Sequence, residues 1–379
     1  MFSTIFLIPI SIYFFSLIFF IYGVRYGIKN KSKNLHSTTK TKNIDCSIIL
    51  CVRNGEESIS KILNDFKNQT FSGRHEFIIV DDNSTDNSAT IIQDYANIDQ
   101  RFKYIKSNSD RSNLRFKKKA LNAGINVAKY DYLLFTDVDC RVGPNWISSM
   151  LENYKNNEYI IGYSGTLPSN TIISKFQSID FQILMISAYS SASLGYALAC
   201  SGQNQSYKKS LFKSVEGFSS IEHLLQGDDS LFLQICRKIK KIKVKFSIHP
   251  DSFVKSKTHN SWKEFIIQRM RWSGDANIMW KFNISFFIIV LSTFLTNLFI
   301  LIGFISLIIS QFFMNYFIIV LLIKFLLEFS LYISGMRKLN LDSVISQFPI
   351  WFFIQIPYVV LMGVLSFFTY KLSWRGRTL

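Results

Sequence analysis

Three pairs of aspartates in this chain are adjacent or alternating, a spacing suited to charge chemistry. Asp81-Asp82 and Asp137-Val138-Asp139 each follow a short apolar run, and Asp228-Asp229 lies between Gly227 and Ser230. In an extended Asp137-Val138-Asp139 segment, alternation would put both carboxylates on one side. Such a pair can hold Mg²⁺ or Mn²⁺ when water and diphosphate oxygens fill the remaining positions. A metal there would neutralise charge developing on a departing diphosphate. Two adjacent carboxylates in a partly buried cleft cannot both ionise freely, so one of Asp228 and Asp229 should have a pKa raised toward the range of a general base. Arg271 offers a permanently charged planar fork for phosphate oxygens, and Trp272 a broad face for a ring. Taken singly, each motif has a plainer reading: a solvated strand end, a helix N-cap acid pair, or an Arg-Trp anchor at a membrane interface.

The elements that must position these groups show in the hydrophobic rhythm. Ser47–Val52 and Glu76–Val80 are short buried-strand runs, and Ile59, Ile62, Leu63 and Phe66 recur at helical spacing. Ser84 offers an N-cap for a helix turning Ala89, Ile92 and Ala96 inward. Phe102–Ile105 is a further run, Leu121, Gly124, Ile125 and Ala128 mark another helix, and Tyr132–Thr136 another strand. Alternation of this kind implies an α/β domain with a mostly parallel, twisted sheet, whose ligands bind beyond the carboxyl ends of the strands. No GxxxxGK[ST] or GxGxxG occurs in this region, so neither a P-loop nor a dinucleotide fingerprint explains the acids.

Composition sets the surroundings. The 379 residues carry a net charge of +17, 16% aromatic residues with 36 Phe, and only 18% charged residues. A disordered chain is excluded, and a membrane protein with a polar domain becomes the leading class. Met1–Val24 is uncharged and long enough for a retained membrane helix, and Arg25, Lys29, Lys31, Lys33, Lys40 and Lys42 follow it without an acid, which places that side in the cytoplasm. Further apolar blocks begin near Ile284, Phe312 and Phe348, predicting about three C-terminal membrane helices. Lys324 and Glu328 in the middle block are spaced to pair on one helix face. Three spans would leave Lys371, Arg375 and Arg377 outside, against the positive-inside tendency; either the last block, broken by Pro349 and Pro357, is re-entrant or interfacial, or the count of spans differs by one, and a cytoplasmic tail is expected.

The boundaries that follow are 1–24 for the first span, 25–43 for a basic linker, 44–282 for an α/β domain of catalytic size with interfacial helices, 283–371 for the C-terminal helices and 372–379 for a basic tail. Ser174–Ala199, apolar but interrupted by Gln177, Asp180 and Gln182, is expected to be an interfacial or acceptor-lining helix and not a span, a core helix being the plainer alternative. Five scattered cysteines without CxxC spacing read as reduced thiols, and the histidines lack zinc-site spacing. The positive charge clusters beside apolar segments, so anionic lipid is the expected partner and nucleic acid is not. The runs Lys117–Lys119 and Arg237–Lys245 have a plain reading as solvated faces.

Six segments occur in order: CVRNGEE at Cys51–Glu57, VDDNSTD at Val80–Asp86, KKKALNAG at Lys117–Gly124, TDVDC at Thr136–Cys140, QGDDSLF at Gln226–Phe232 and QRMRW at Gln268–Trp272. Together they resemble the membrane-embedded branch of the family-2 glycosyltransferases, which includes cellulose, chitin, hyaluronan and poly-N-acetylglucosamine synthases and ceramide or hopanoid glucosyltransferases. The resemblance implies a GT-A fold and inverting transfer of a sugar from a nucleotide donor, with a UDP-sugar the expected one, to a membrane lipid or a growing polysaccharide. It implies that Asp81 and Asp82 contact the nucleotide, that Arg53 and Asn54 line the same pocket, and that Lys117 and Asp137 meet the donor. By the same resemblance Asp139 ligates the metal beside Asp137, Asp229 is the base with Asp228 its neighbour, and Gln268, Arg271 and Trp272 serve the acceptor and diphosphate. Cys51 stands where many relatives have Pro, which bears on the first turn's geometry. GQNQSYKKSLF at Gly202–Phe212 is similar to a stretch the family carries between its metal motif and its base, and LSWRGRTL at Leu372–Leu379 to the tail of hopanoid and ceramide glucosyltransferases. A catalytically silent membrane scaffold that binds a nucleotide sugar is the competing class, and it would require loss of a carboxylate among Asp137, Asp139 and Asp229.

Overall fold

A computed structural model describes residues 2–34, 44–309, 314–342, 345–371, 373–374 and 377–378. Lys40 and Lys42 of the expected linker and Arg375 of the expected tail lie outside the described residues. In chain order the elements are α1 (Phe2–Asn34), β1 (Cys46–Val52), α2 (Glu56–Lys67), β2 (His75–Asp81), α3 (Ser88–Ile98), β3 (Phe102–Lys106), α4 (Phe116–Val127), β4 (Tyr132–Asp137) and β5 (Cys140–Val142). There follow α5 (Trp146–Leu151), β6 (Tyr159–Gly162), β7 (Ser164–Thr166), α6 (Ile172–Ser193), β8 (Gln205–Lys208), α7 (Lys209–Ser214), α8 (Ser230–Lys240), β9 (Val244–Ser247) and β10 (Val254–Ser256). The chain closes with α9 (Trp262–Ser273), α10 (Ile284–Ile309), α11 (Met314–Leu339), α12 (Phe348–Leu365) and the short pair β11 (Ser373–Trp374) and β12 (Arg377–Thr378).

Two compact units emerge. One holds residues 34–167 and 195–257, the other 1–33, 168–194 and 258–379. The continuous stretch 44–282 expected as one domain is thus interrupted by α6, which groups with α1 and the C-terminal helices, as does α9.

The first unit is built on a seven-stranded sheet in the order β3-β2-β1-β4-β8-β6-β9. β3, β2, β1 and β4 run parallel, β8 is antiparallel to β4 and β6, and β6 pairs parallel with β9. β1 is apolar on both faces because both are covered. Ile48, Leu50 and Val52 join Ile59, Ile62, Leu63 and Phe66 of α2 in one core, while Ile49 faces α4. Gly124 lets α4 approach closely, since a Cβ there would lie 2.8 Å from Ile49 and 3.0 Å from Val80. A smaller sheet, β5-β10-β7, flanks the first. α3 begins at Ser88 with Asn87 as its N-cap, three residues later than the Ser84 cap expected from the sequence. Ser84 instead accepts a hydrogen bond from the Asn54 N–H at 3.1 Å, because the acid-rich turn after β2 is used to join the β1 and β2 ends.

The second unit contains four stretches long and apolar enough to cross a membrane: Phe6–Gly27, Ile284–Ser306, Tyr316–Leu339 and Ile345–Phe368. α12 runs unbroken through Pro357, with Pro349 in its first turn where no intrahelical N–H bond is lost. The expected break at the prolines is therefore absent; in an apolar bundle neighbouring groups can compensate for one lost backbone bond. α6 is not among the four stretches, and each of its polar interruptions is tied to a partner. Gln177 exchanges two hydrogen bonds with the His259 backbone at 2.9 and 3.0 Å, Asp180 pairs with Arg269 at 2.8 Å, and Gln182 accepts from the Tyr332 hydroxyl at 3.1 Å.

Candidate active site

Strand direction brings the acids together. Because β2, β1 and β4 are parallel neighbours, their carboxyl ends share one edge, with Val52 opposite Asp81 and Cys51 opposite Asp137. Cys51 thus continues the strand, and the chain turns only at Asn54, whose φ of 47° suits an Asn side chain. β8 is antiparallel, so the residues preceding Gln205 arrive at this same edge; Gln205 lies opposite Phe135.

At one end of the edge the two turns are stitched to each other. Arg53 Nη1 donates to the Asp82 and Asn83 carbonyls at 2.7 and 2.9 Å, and Asn54 Oδ1 accepts from the Thr85 N–H at 2.8 Å. Asp81 accepts from the Ser84 N–H at 3.0 Å and Asp82 from the Ser107 hydroxyl at 2.9 Å. Arg53, Asn54, Asp81 and Asp82 therefore form one wall, as their motif positions imply.

At the other end Lys117, in the first turn of α4, places Nζ 2.9 Å from Asp137 Oδ1 and 3.1 Å from Asp228 Oδ2. The two carboxylates hold this ammonium well above the ordinary lysine range, so it stays charged. Asp229 caps α8, accepting from the Ser230 N–H with one oxygen and from the Gly202 N–H at 3.1 Å with the other. Burial, followed by the charge of Asp228, raises its pKa to about 6. The acid pair thus has one member whose pKa is raised. Gly202 was not singled out from the sequence, although the GQNQ segment before β8 was its signal. A Cβ at Gly202 would lie 3.2 Å from Lys117 Nζ, 3.4 Å from Asp228 Oδ2 and 3.6 Å from Asp229 Oδ2.

Lys118 corrects the reading of 117–119 as a solvated face. It is fully buried and donates to the Leu224 carbonyl and, at 2.9 Å, to the Gln226 carbonyl, fixing the segment that leads into Gly227-Asp228-Asp229. Arg237 likewise turns inward, donating to the Ala197 and Gly195 carbonyls.

The DxD geometry also differs from expectation. Asp137 ends β4, whereas Val138 and Asp139 form a turn, because Val138 is buried against Gly55 and draws the chain out of the strand. Among the described residues no three His, Cys, Asp or Glu side chains converge to hold a metal alone. The donor set of Asp137 and Asp139 suits a hard divalent cation that completes its shell with water and diphosphate oxygens, and the Lys117 ammonium on Asp137 marks the spot as favourable to positive charge. All five cysteines are free thiols, and burial pushes that of Cys51 well up, leaving it neutral. Gln268, Arg271 and Trp272 lie on α9 in the helical unit, each partly exposed.

Comparison with known proteins agrees with this reading of the fold. Residues 47–215 match the family described as Glycosyl transferase family 2, and residues 132–368 match Glycosyl transferase family group 2. The poly-beta-1,6-N-acetyl-D-glucosamine synthase of Staphylococcus epidermidis is 29% identical over 174 residues, covering 45% of this chain and 40% of the relative. Its Staphylococcus aureus counterpart is 29% identical over 192 residues, covering 48% and 42%. The chain thus matches less than half the length of these curated relatives. Among solved structures, a mannosyltransferase from Pyrobaculum calidifontis in complex with GDP-Man and Mn²⁺ aligns over 95% of this chain and 96% of its own, at 12% identity and a TM-score of 0.49. The Staphylococcus aureus protein TarS in complex with UDP aligns over 84% and 90%, at 15% identity and a TM-score of 0.41. With a family match over more than half its length and this sheet topology, the chain is a member of the family-2 glycosyltransferases, carrying a GT-A fold together with four helices long and apolar enough to span a membrane.

Proposed function

We propose that this glycosyltransferase takes a sugar from a UDP-sugar and adds it, with inversion, to a growing membrane-associated polysaccharide. The observation that carries the proposal is the meeting of Lys117, Asp137, Asp228 and Asp229 at the carboxyl edge of the sheet. The named activity of the curated relatives supports a polymer and makes N-acetylglucosamine the sugar to try first.

In this reading Asp81, Asp82, Arg53 and Asn54 form the nucleotide pocket. Asp229 accepts the proton of the acceptor hydroxyl; that oxygen bonds to the anomeric carbon as the bond to the diphosphate oxygen breaks. Lys117 keeps positive charge between the donor-side Asp137 and the base-side Asp228. Asp139 with Asp137 would hold Mg²⁺ or Mn²⁺, which when bound supplies charge against the departing diphosphate. Gln268 and Arg271 serve the acceptor and diphosphate, and Trp272 offers the acceptor sugar its ring face. The basic residues after the first apolar helix support a catalytic unit on the cytoplasmic side.

Replacing Asp229 with Asn tests the base. D229N is expected to lose transfer by on the order of 10²- to 10⁴-fold while UDP-sugar still binds; full activity would remove the assignment. Product length from membranes supplied with UDP-N-acetylglucosamine, UDP-glucose or GDP-mannose tests the rest. A polymer ladder supports the proposal, whereas one discrete glycolipid favours a single-sugar transferase. Absence of nucleoside diphosphate release with every donor would favour a silent scaffold.

A further inference from the structure

The segment QRMRW contains a second arginine that the motif leaves without a role. On α9, Phe265, Arg269 and Trp272 are spaced four and three residues apart, so their side chains share one face. The Arg269 guanidinium lies over the Trp272 ring, 4.3 Å from its centroid, and within 5.1 and 5.6 Å of the Phe265 and Phe181 ring centres. Asp180 of α6 meets its Nη2 at 2.8 Å.

This arginine is only 5% exposed, and among the described residues its Nε and Nη1 have no hydrogen-bond partner. A buried arginine serving only to tie helices together would be expected to spend those donors on carbonyls. Here the guanidinium is paired with one carboxylate and lies over the indole. The surrounding framework is stiff: Phe265 stacks on Tyr358 at 5.5 Å, Phe176 meets Phe265 edge-on at 5.7 Å, and Gln177 clamps the backbone at His259 just before α9. Trp272 itself remains partly exposed, so one part of the ring is fixed and another is available.

We propose that Arg269, anchored by Asp180, is the positioning residue that sets the plane of Trp272 for the acceptor sugar. The proposal rests on the acceptor-side role of Trp272. It requires that the Asp180–Arg269 pair govern acceptor recognition and leave donor binding alone.

The test uses the full-length protein in lipid nanodiscs with UDP-N-acetylglucosamine as donor and a β-1,6-linked N-acetylglucosamine trisaccharide as acceptor. R269M and R269K should each raise the acceptor KM about tenfold or more and leave the donor KM within about twofold. The indole emission assigned to Trp272, by difference against W272F, should shift in R269M. Because R269M alone strands the buried Asp180, the paired replacement D180L/R269M is measured too: it should keep the fold and retain the raised acceptor KM. Wild-type acceptor KM in the paired variant, or equal rises in donor and acceptor KM, would overturn the proposal. An acceptor KM unmoved by W272A would overturn the acceptor reading of Trp272 and the proposal with it. A KM raised by W272A but not by R269M would overturn the proposal alone.

Discussion

Asp229 is pulled in opposite directions by its surroundings. Loss of water and the neighbouring Asp228 charge raise its pKa; the Ser230 and Gly202 N–H groups and Lys117 pull it back, and the balance is about 6. Only the ionised carboxylate can accept a proton, so a rate limited by this step should climb as pH rises from 5 to 7, with a midpoint near 6. Removing the like charge favours ionisation, so D228N should move the midpoint down. Initial rates of nucleoside diphosphate release across pH, at saturating donor, measure both. A flat profile in the wild type, or an upward move in D228N, would show that another group limits the rate. That one acid of this pair should be raised was legible from adjacency alone, but which one was not. It depends on how far each carboxylate is buried, a product of how the chain returns to the edge.

α4 shows what a helix does to a run of identical residues. Successive side chains are turned by about 100°, so Lys117 reaches the carboxylates while Lys118 points into the interior. K118M should leave the Leu224 and Gln226 carbonyls without their charged donor. The expected cost is about 1.5–3 kcal/mol of stability, with a fall in turnover because the segment before Asp228 loosens. Thermal unfolding and product formation of K118M can be compared with K119M, whose side chain is half-exposed and should change neither. The parallel strands β1, β2 and β4 could be read from the sequence because their faces are covered and their apolar runs are unbroken, whereas β3, at the sheet edge and only partly buried, shows a run broken by Lys103. Three details could not. The turn at Val138 depends on burial against Gly55, the α3 start depends on Ser84 being taken by Asn54, and the continuity of α12 through Pro357 depends on its surroundings. Each is decided by a partner remote in sequence, which local periodicity does not see. Asp81, Asp82, Asp137 and Asp139 could be named from the sequence since they end or follow strands, and Asp228 and Asp229 as an acid pair at a helix start, whereas Gly202 and Lys118 matter through space and backbone contacts.

At the scale of the whole molecule, the composition that first suggested a membrane protein separates into a polar α/β unit and a helical unit with its own polar knot. Lys324 and Glu328 of α11 pair at 2.8 Å, Gln355 of α12 donates to both Glu328 oxygens at 3.1 and 2.9 Å, and the Tyr13 hydroxyl of α1 donates to Glu328 as well. Lys324 also lies 4.7 Å from the Phe352 ring centre. One carboxylate therefore joins three helices, including one at the far end of the sequence. In an apolar bundle hydrophobicity does not distinguish one helix partner from another, so packing and polar contacts must choose. This knot supplies such a choice for α1. K324M would leave the Glu328 charge compensated only by neutral donors, and breaking a buried pair from one side costs about 3–5 kcal/mol. Replacing both partners, as K324M/E328L, removes the stranded charge and should recover much of that loss, though α1 would then lack its polar tether. Unfolding temperatures in detergent should accordingly rank wild type first, the double variant next and K324M last. Limited proteolysis should release α1 more readily from the double variant than from wild type. If K324M were as stable as wild type, the pair would not be holding the bundle together, and packing alone would have to place the first helix.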